Sequence, residues 1–282
     1  MGKYLTFDFE DWFHILDNPK TSHPDQWNDF PTRIELMLGP ILDLCDKHNV
    51  KATFFCLGWV AEKYPDLIKR IHQRGHFIGT HGYAHQLVYT QTPEQFRDDL
   101  RKSINILENI ISTSITAYRA PGFSITSRSL WALDILYEEG IEFDSSIFPA
   151  YRGHGGLPGL NVRNPFKIAT PKGYLINEYP LSVVKFFGIS VPYSGGGYFR
   201  IMPRLILSRL FKMSEYQMTY FHPRDFDQEQ PKIPGLSGLR HFKSYYGIRR
   251  CLANLDFILS RNKITSSALS PLSGEVQTLV FK

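Results

Sequence analysis

The sequence predicts an α/β protein built on a parallel β-sheet that is either open or closed into a barrel. Short β-rich runs alternate with helical stretches along most of the 282 residues, and repeated β/α units of this kind form parallel sheets. The apolar content of 43% is sufficient for a large buried core. The chain contains neither a solenoid repeat nor a low-complexity block.

The first half of the chain carries the clearest alternation. Residue patterning predicts strands at residues 4–9, 51–57, 76–80, 115–119 and 141–148. Helical periodicity, with glycines at the helix ends, predicts helices at residues 33–48, 59–73, 93–111 and 127–139. The helix that opens at Thr92-Pro93 has a capping residue and a first-turn proline, and one apolar stripe follows them. We expect this helix to pack on the sheet.

The second half begins with a Gly- and Pro-rich stretch, residues 149–174, which predicts a surface loop insertion rather than a linker between domains. Strands are predicted next at residues 175–184 and 216–221, and helices at 203–212 and 240–259. The tail, residues 266–282, shows no periodicity. We therefore predict a single domain over residues 1–265 with a C-terminal helical extension.

Composition narrows the functional classes. The formal charge of +5 is modest and its Lys and Arg residues are scattered, which does not indicate a nucleic-acid-binding protein. Three cysteines without a CxxC pair argue against disulfides and against a thiolate zinc site. The start MGKYLTFDFED lacks the features of a secretory signal, and no apolar run has membrane-spanning length, so the sequence predicts a cytoplasmic protein without a transmembrane segment.

Candidate catalytic and metal-binding residues lie at the ends of two of the predicted strands. Asp8, Glu10 and Asp11 lie at the end of the first strand, while His81 and His85 follow the strand at residues 76–80. Active sites of parallel α/β proteins form at the carboxyl ends of the strands. Two imidazoles and one carboxylate can hold a catalytic metal and leave positions for water and substrate. Taken singly, the acids could equally form a polar turn, and an HxxxH spacing arises often by chance.

Two further strand ends carry one ionisable residue each. Arg119 closes the predicted strand at residues 115–119, and His222 follows the one at residues 216–221. A surface salt bridge and a buried, hydrogen-bonded imidazole are the simpler explanations for each residue alone. The combination of four strand ends that all supply catalytic residue types favours one active site.

The ordered motifs TFDFED, HGYAH, RAPGFS, FDSS and YFHP resemble those of the polysaccharide deacetylases of carbohydrate esterase family 4, the NodB homology domain. The closest resemblance is to the branch whose first motif reads DxED, and it extends from about Leu5 to His222. It implies a distorted, incomplete (β/α)7-type barrel. It also implies a divalent metal, Zn²⁺ with Co²⁺ as the alternative, and hydrolysis of N-acetyl groups on amino sugars.

The resemblance also implies roles for individual residues. Asp8 matches the catalytic base, Arg119 the arginine that holds this base, and His222 the general acid. His81 and His85 match the metal-binding histidines.

The third metal ligand departs from the common pattern of the family, which has an aspartate directly after the base. Phe9 occupies that position here, and this leaves Glu10 or Asp11. Strand alternation directs Glu10 to the same side as Asp8, whereas a turn could bring Asp11 inward. We expect Asp11 to be the ligand because aspartate is the usual one in the family.

The predicted function is therefore metal-dependent removal of N-acetyl groups from an amino-sugar glycan, or from its lipid- or nucleotide-linked precursor in surface polysaccharide biosynthesis. Such a substrate would hold the protein near the inner face of the membrane. One alternative is a cyclic-amide hydrolase of the same fold, a group in which some members act without a metal. The other is a non-catalytic glycan-binding protein.

Overall fold

The architecture of the chain is given by a computed structural model. The structure describes residues 2–16, 18–151, 153–233, 236, 238–264, 268–274 and 276–281. The domain boundary expected between residues 265 and 266 lies outside these described residues.

Strands and helices alternate through the described residues, as the sequence predicts. The strands are β1 Lys3–Tyr4, β2 Thr6–Phe9, β3 Thr53–Cys56, β4 Phe77–Thr80, β5 Ala117–Tyr118, β6 Phe143–Asp144, β7 Phe166–Ala169, β8 Leu175–Glu178, β9 Val183–Phe186, β10 Ile189–Pro192, β11 Gln217–Met218 and β12 Thr278–Val280. The helices are α1 Ile34–Lys47, α2 Gly58–Lys63, α3 Pro65–Gln73, α4 Pro93–Ile111, α5 Trp131–Glu138, α6 Gly196–Ile201, α7 Arg204–Met213, α8 Gly238–Tyr245 and α9 Ile248–Arg261.

The main sheet has the strand order β12-β7-β8-β6-β5-β4-β3-β2. Its pairs are parallel except that β7 lies antiparallel to β8. Beyond β2 the sheet continues, because β1 pairs with β11 and Phe7 forms a parallel bridge with Phe221. Strand pairing does not complete the ring within the described part of the chain. This open, barrel-like α/β sheet confirms the predicted fold class.

The two faces of the sheet carry different side chains, as the period of two along each strand requires. Phe7 and Phe9 of β2 point into the larger apolar core, which also holds the buried stripe of α4. Phe55 of β3 belongs to a second, largely aromatic cluster. The guanidinium carbon of Arg119 lies 4.2 Å from the centre of the Phe55 ring, so this second cluster lies under the polar side chains of the site.

Proline and glycine divide two of the predicted helices. The helix expected at residues 59–73 is split into α2 and α3 because Pro65 disfavours a helical conformation at Tyr64, whose φ is −133° and ψ is 61°. The helix expected at residues 240–259 is divided into α8 and α9 at Gly247, where φ is +76°. The predicted cap of α4 is confirmed, since Thr92 Oγ1 accepts a hydrogen bond of 3.2 Å from Gln95 N.

Two segments expected to lack regular structure contribute strands. Residues 149–174 contain β7, and the tail contributes β12, which pairs with β7. Neither strand carries a long alternating pattern, so the local sequence did not indicate it. Each strand forms by pairing with a neighbouring strand.

Cys45, Cys56 and Cys251 are buried free thiols, as expected, and burial raises the pKa of the Cys45 thiol to about 12. Among the described residues, no helix combines the length and apolarity needed to cross a membrane.

Candidate active site and metal centre

The carboxyl ends of neighbouring strands bring the expected site residues to one edge of the sheet. Glu10 follows β2, His81 follows β4, and Arg119 follows β5. His222 comes directly after Phe221, the residue that pairs with Phe7 of β2. Asp8 lies within β2 itself. Residues that are far apart in sequence therefore meet because their strands are adjacent and parallel.

Glu10, His81 and His85 form a buried cluster of potential metal ligands. One ligand atom from each residue lies within 4.8 Å of those of the other two. Glu10 Oε2 is 2.6 Å from His85 Nε2, yet it has no hydrogen-bond partner among the described residues. Two histidines and one carboxylate are the donor set of many catalytic zinc sites. A buried carboxylate oxygen without a hydrogen bond fits a cation at this position.

His81 is oriented by the main chain of the neighbouring strand end. Its Nδ1 lies 2.6 Å from the carbonyl oxygen of Arg119, so Nδ1 carries the proton and Nε2 keeps its lone pair. Burial lowers the pKa of His81 to about 4, although Asp8 opposes this shift. The imidazole is therefore neutral near pH 7, which is the form that binds metal.

The charge of Glu10 depends on its neighbours. Burial raises the pKa of this carboxyl, but the imidazoles of His85, His222 and His81 outweigh burial and lower the pKa well below the usual range. Glu10 is accordingly an anion in the folded protein. An anionic carboxylate among imidazoles provides the negative charge that a divalent cation requires.

Asp8 is held by a fully buried arginine. Arg119 Nη1 donates hydrogen bonds to Asp8 Oδ1 at 2.7 Å and to Thr6 Oγ1 at 2.9 Å, and Nη2 donates to Ser145 Oγ at 3.0 Å. Burial raises the pKa of Asp8, but Arg119 and the nearby imidazoles outweigh it, so the net pKa is lowered. The structure therefore brings together an oriented carboxylate and the ligand cluster.

His222 stands between the two carboxylates. Its Nε2 lies 3.8 Å from Asp8 Oδ2 and 3.7 Å from Glu10 Oε1, and its Nδ1 lies 3.2 Å from Asp225 Oδ2. Burial lowers the pKa of His222, but Asp225 and the other two carboxylates outweigh burial and raise it above its ordinary value. His222 can thus be an imidazolium at a pH where Asp8 is ionised.

Asp11 is not brought to the imidazoles. The chain turns after Glu10, and Asp11 Oδ2 accepts hydrogen bonds from Thr32 Oγ1 at 2.6 Å and from Arg33 N at 3.0 Å. Ile34 N, the first residue of α1, donates to the same oxygen at 3.3 Å. Helix N-termini leave amide groups without partners, and Asp11 satisfies them. The expectation that favoured Asp11 over Glu10 as a ligand does not match this placement.

Three residues near the site had not been expected from the sequence. Asp225 contacts His222 from three residues further on, and the spacing H-P-R-D was a local signal for this contact. Asp99 of α4 accepts hydrogen bonds from Tyr83 N at 2.7 Å and from Ala84 N at 2.9 Å, which fixes the loop between the two histidines. Because Asp99 is distant from that loop in sequence, the local pattern did not indicate this contact.

His14 is the third such residue. Its Nδ1 accepts a hydrogen bond of 2.9 Å from Asp11 N, while its buried Nε2 has no partner among the described residues. The ring centres of His14 and His85 are 6.3 Å apart. Burial lowers the pKa of His14 well below its ordinary value, so this imidazole is neutral.

A second buried acidic pair lies behind Arg119. Asp144 Oδ1 accepts a hydrogen bond of 2.5 Å from Ser146 Oγ, and Glu178 Oε1 accepts one of 3.1 Å from Ile147 N. Burial raises the pKa of both carboxyls, and Asp144 raises that of Glu178 further. The pair therefore retains a proton at a pH where exposed carboxyls are ionised.

The comparisons with known proteins divide the chain into two matched segments. Residues 26–136 match the family model described as polysaccharide deacetylase. Residues 145–268 match a model described as a domain of unknown function, DUF3473.

Curated relatives align with part of the chain. A peptidoglycan-N-acetylglucosamine deacetylase of Bacillus cereus is 33% identical over 117 residues, which are 37% of this chain and 42% of that protein. A peptidoglycan deacetylase of Helicobacter pylori is 28% identical over 113 residues, 40% of this chain and 38% of that protein. The chain thus spans about two fifths of the length of these relatives.

One solved structure is similar over nearly the whole chain. It is a Mycobacterium smegmatis protein provisionally assigned as a polysaccharide deacetylase, with a TM-score of 0.55 and 20% identity over 96% of each chain. At this identity the similarity concerns the fold.

Proposed function

We propose that this chain, which carries a polysaccharide deacetylase domain of carbohydrate esterase family 4, is a metal-dependent hydrolase of N-acetyl groups on amino-sugar glycans. The observation that carries the proposal is the cluster of Glu10, His81 and His85 beside Asp8 and His222. The names of the peptidoglycan deacetylases that resemble it support an N-acetylated glycan as substrate. A lipid- or nucleotide-linked precursor of a surface polysaccharide is the form we propose.

The proposed metal ligands are Glu10, His81 and His85, and the proposed ion is Zn²⁺, which two imidazoles and one carboxylate bind in known catalytic sites. Glu10 replaces Asp11 in this set because the oxygens of Asp11 accept hydrogen bonds at the start of α1. When bound, the cation supplies Lewis acidity toward the acetyl carbonyl and the attacking water.

Asp8 is the proposed general base. Arg119 holds its Oδ1, so Oδ2 is the oxygen that takes a proton from the attacking water. The lowered pKa of Asp8, which Arg119 and the imidazoles cause despite burial, keeps the carboxylate ionised at neutral pH. The role of Arg119 is therefore to orient the base and keep it charged.

His222 is the proposed general acid. Water adds to the acetyl carbon, the C–N bond breaks, and His222 Nε2 gives its proton to the departing amine, so that acetate and a free amino sugar result. Asp225 accepts a hydrogen bond from the backbone N of His222 at 2.9 Å and contacts Nδ1, which fixes the ring. His222 is also more accessible than Asp8, with 17% of its side chain exposed against 3% for Asp8.

The test is acetate release from N-acetylated oligosaccharides, nucleotide sugars and lipid-linked sugars, with cyclic amides in the same panel. Protein is stripped with a chelator and supplied with Zn²⁺, Co²⁺ or no metal. We expect acetate release to depend on the metal. The Asp8→Asn variant should lower the rate of release by roughly 10²-fold or more. The matched control is Asp66→Asn, whose side chain is 92% exposed.

Each other outcome separates the alternatives. Turnover of a cyclic amide without metal would replace the proposed activity by that of a cyclic-amide hydrolase. Sugar binding without acetate release, in protein that retains no metal after loading, would overturn catalysis and leave a glycan-binding protein.

A further inference from the structure

The hairpin formed by β9 and β10 ends in an exposed aromatic tip. Phe186 pairs with Ile189, and the two residues between them, Phe187 and Gly188, have φ values of 46° and 81°. The exposed fractions are 66% for Phe186, 91% for Phe187 and 68% for Ile189. Two-residue turns with positive φ favour Asn and Gly, and a phenylalanine there is unfavourable both in conformation and in hydration. Packing within the chain does not account for Phe187.

Helix α7 adds a second exposed apolar surface. Its inner face is buried through Leu207 and Phe211, whereas Leu205 is 68% exposed, Ile206 51% and Met213 74%. Met213 and Leu210 line the same groove as Val184 and Lys185 of β9. The C-terminal end of α7 and the base of the hairpin therefore lie side by side along this groove. A helix that is apolar on two sides is normally covered on both.

Within the segment that forms this surface the charges have one sign, and the exposed Glu215 follows the segment directly. Residues 179–214, which contain the hairpin and α7, include five Lys and Arg residues and no Asp or Glu. Arg200 is buried, but Lys212 and Arg209 are exposed on α7 and Lys185 lies at the side of the hairpin. Basic side chains beside exposed aromatic and aliphatic groups are the composition of surfaces that bind anionic lipid.

We propose that the β9–β10 tip and the outer face of α7 form a docking surface for an anionic phospholipid bilayer. The tip is convex, so it suits insertion among lipid head groups. A second copy of the chain is disfavoured because a two-fold interface would place the same basic residues against each other. The inference goes beyond the proposed function, because deacetylation by the site residues does not require a membrane.

The docking surface is continuous with the site. Strand β10 leads through Ser194 to Gly195, which bridges Tyr220, two residues before His222. Eight residues separate Phe187 from Gly195, a span of at most about 27 Å in extended chain. Docking of the tip would therefore keep Gly195, and with it the His222 side of the site, within this span of the lipid surface, where a lipid-linked glycan would be found.

The experiment is co-sedimentation of the full chain with vesicles of phosphatidylglycerol and phosphatidylcholine in equal parts, and with vesicles of phosphatidylcholine alone. Binding is expected with the anionic vesicles and is weakened by raising the salt from about 0.05 M to about 0.5 M. The double variant Phe186→Thr/Phe187→Asn should reduce binding about tenfold or more. Because Asn suits the turn better than Phe, the variant should remain folded.

Control variants test whether the loss of vesicle binding comes from this surface. Leu36→Ser removes a side chain that is 57% exposed on α1 and should bind vesicles like the unmodified chain. Lys185→Gln/Lys212→Gln should weaken binding to the anionic vesicles only. Acetate release from a water-soluble substrate should be the same in all variants, so failure of lipid binding is distinguishable from failure of the proposed activity.

Equal vesicle binding by the double variant and the unmodified chain would overturn the proposal, as would no binding by the unmodified chain. A concentration-dependent dimer that Phe187→Asn disperses, without lipid binding, would assign the surface to self-association instead.

Discussion

Glu10 and Asp11 are adjacent acids with different surroundings. Glu10 ends the strand on the side of Asp8 and meets two imidazoles, whereas Asp11 accepts hydrogen bonds from the first amides of α1. Strand alternation in the sequence supports Glu10, but the usual ligand type of the resembled family favours Asp11. The decisive contact, with Thr32 and Arg33, comes from residues more than twenty positions away and is invisible in the local pattern.

Substitution of these two acids should separate metal binding from stability. Glu10→Gln removes a charged ligand, so we expect bound zinc, measured by elemental analysis, to fall by tenfold or more, roughly, while the metal-free protein stays folded. Asp11→Asn weakens the helix cap, so we expect full zinc content and a loss of about 0.5–2 kcal/mol in the free energy of unfolding. Loss of zinc from Asp11→Asn, together with full zinc content in Glu10→Gln, would instead identify Asp11 as the ligand.

The buried pair Asp144 and Glu178 makes stability depend on pH. Burial raises the pKa of Glu178 well above its usual value, so the folded chain keeps a proton that the unfolded chain loses above about pH 4.3. This contribution to stability is present below that pH and is lost as the pH rises toward the raised pKa. The amide introduced by Glu178→Gln cannot ionise and can donate a hydrogen bond to Asp144.

We therefore expect the melting temperature of Glu178→Gln, relative to the unmodified chain, to increase between about pH 4 and about pH 8. Calorimetry at the two pH values checks this. The exposed Glu215→Gln should show no such trend. A relative melting temperature that falls with pH would contradict the shared-proton interpretation.

At the scale of elements, the predicted strands and helices are recovered best where the sequence carries a local signal. The cap and apolar stripe of α4 are one example, since Thr92 caps the helix as expected and accepts a hydrogen bond from Gln95 N. Strand β7 was not predicted, because its pairing with β8 and with β12 from the tail determines its conformation. Pro65 is itself a signal that residues 59–73 form two helices rather than one, but helical periodicity alone does not reveal this division.

Gly195 connects two elements near His222 and gives a prediction at this scale. An added Cβ would lie 1.7 Å from Tyr220 O, so Gly195→Ala must displace the chain that leads to His222. We expect acetate release to fall by 10–100-fold, roughly, because small displacements of catalytic groups have large effects. Zinc content should be unchanged.

Gly153→Ala is the matched control, because an added Cβ there meets no atom within 4 Å. Equal activity of the two variants would mean that the position of His222 does not depend on the contact between Gly195 and Tyr220.

At the scale of the whole molecule, the fold class was predictable from the alternation of strands and helices, whereas the extension of the sheet beyond β2 was not. The pairing of β1 with β11 and of Phe7 with Phe221 joins residues more than 200 positions apart. Strand pairing of this kind depends on the whole chain rather than on local sequence. The candidate site residues were predictable as a set because each lies in a strand or near its carboxyl end, but their distances depend on which strands are adjacent.

Metal binding should stabilise the whole chain, because the ligands come from different strands of the folded sheet. At a zinc concentration one hundred times the dissociation constant, the expected gain is about 2.7 kcal/mol. For a chain of this size the melting temperature should rise by roughly 5 °C. A thermal scan with and without zinc measures the shift, and His81→Ala should abolish it. An equal shift in His81→Ala would place the metal elsewhere.

The pairing of β11 with the first strands also sets an order of events during protein synthesis. The three proposed ligands are complete once residue 85 has left the ribosome, but His222 is 137 residues further along the chain. At 5–20 residues per second, this separation lasts on the order of 10 s. During that interval the proposed ligands are present without His222, and the edge of β2 lacks its partner strand. An interrupted translation product would therefore lack the proposed general acid, and its exposed strand edge would be open to aggregation.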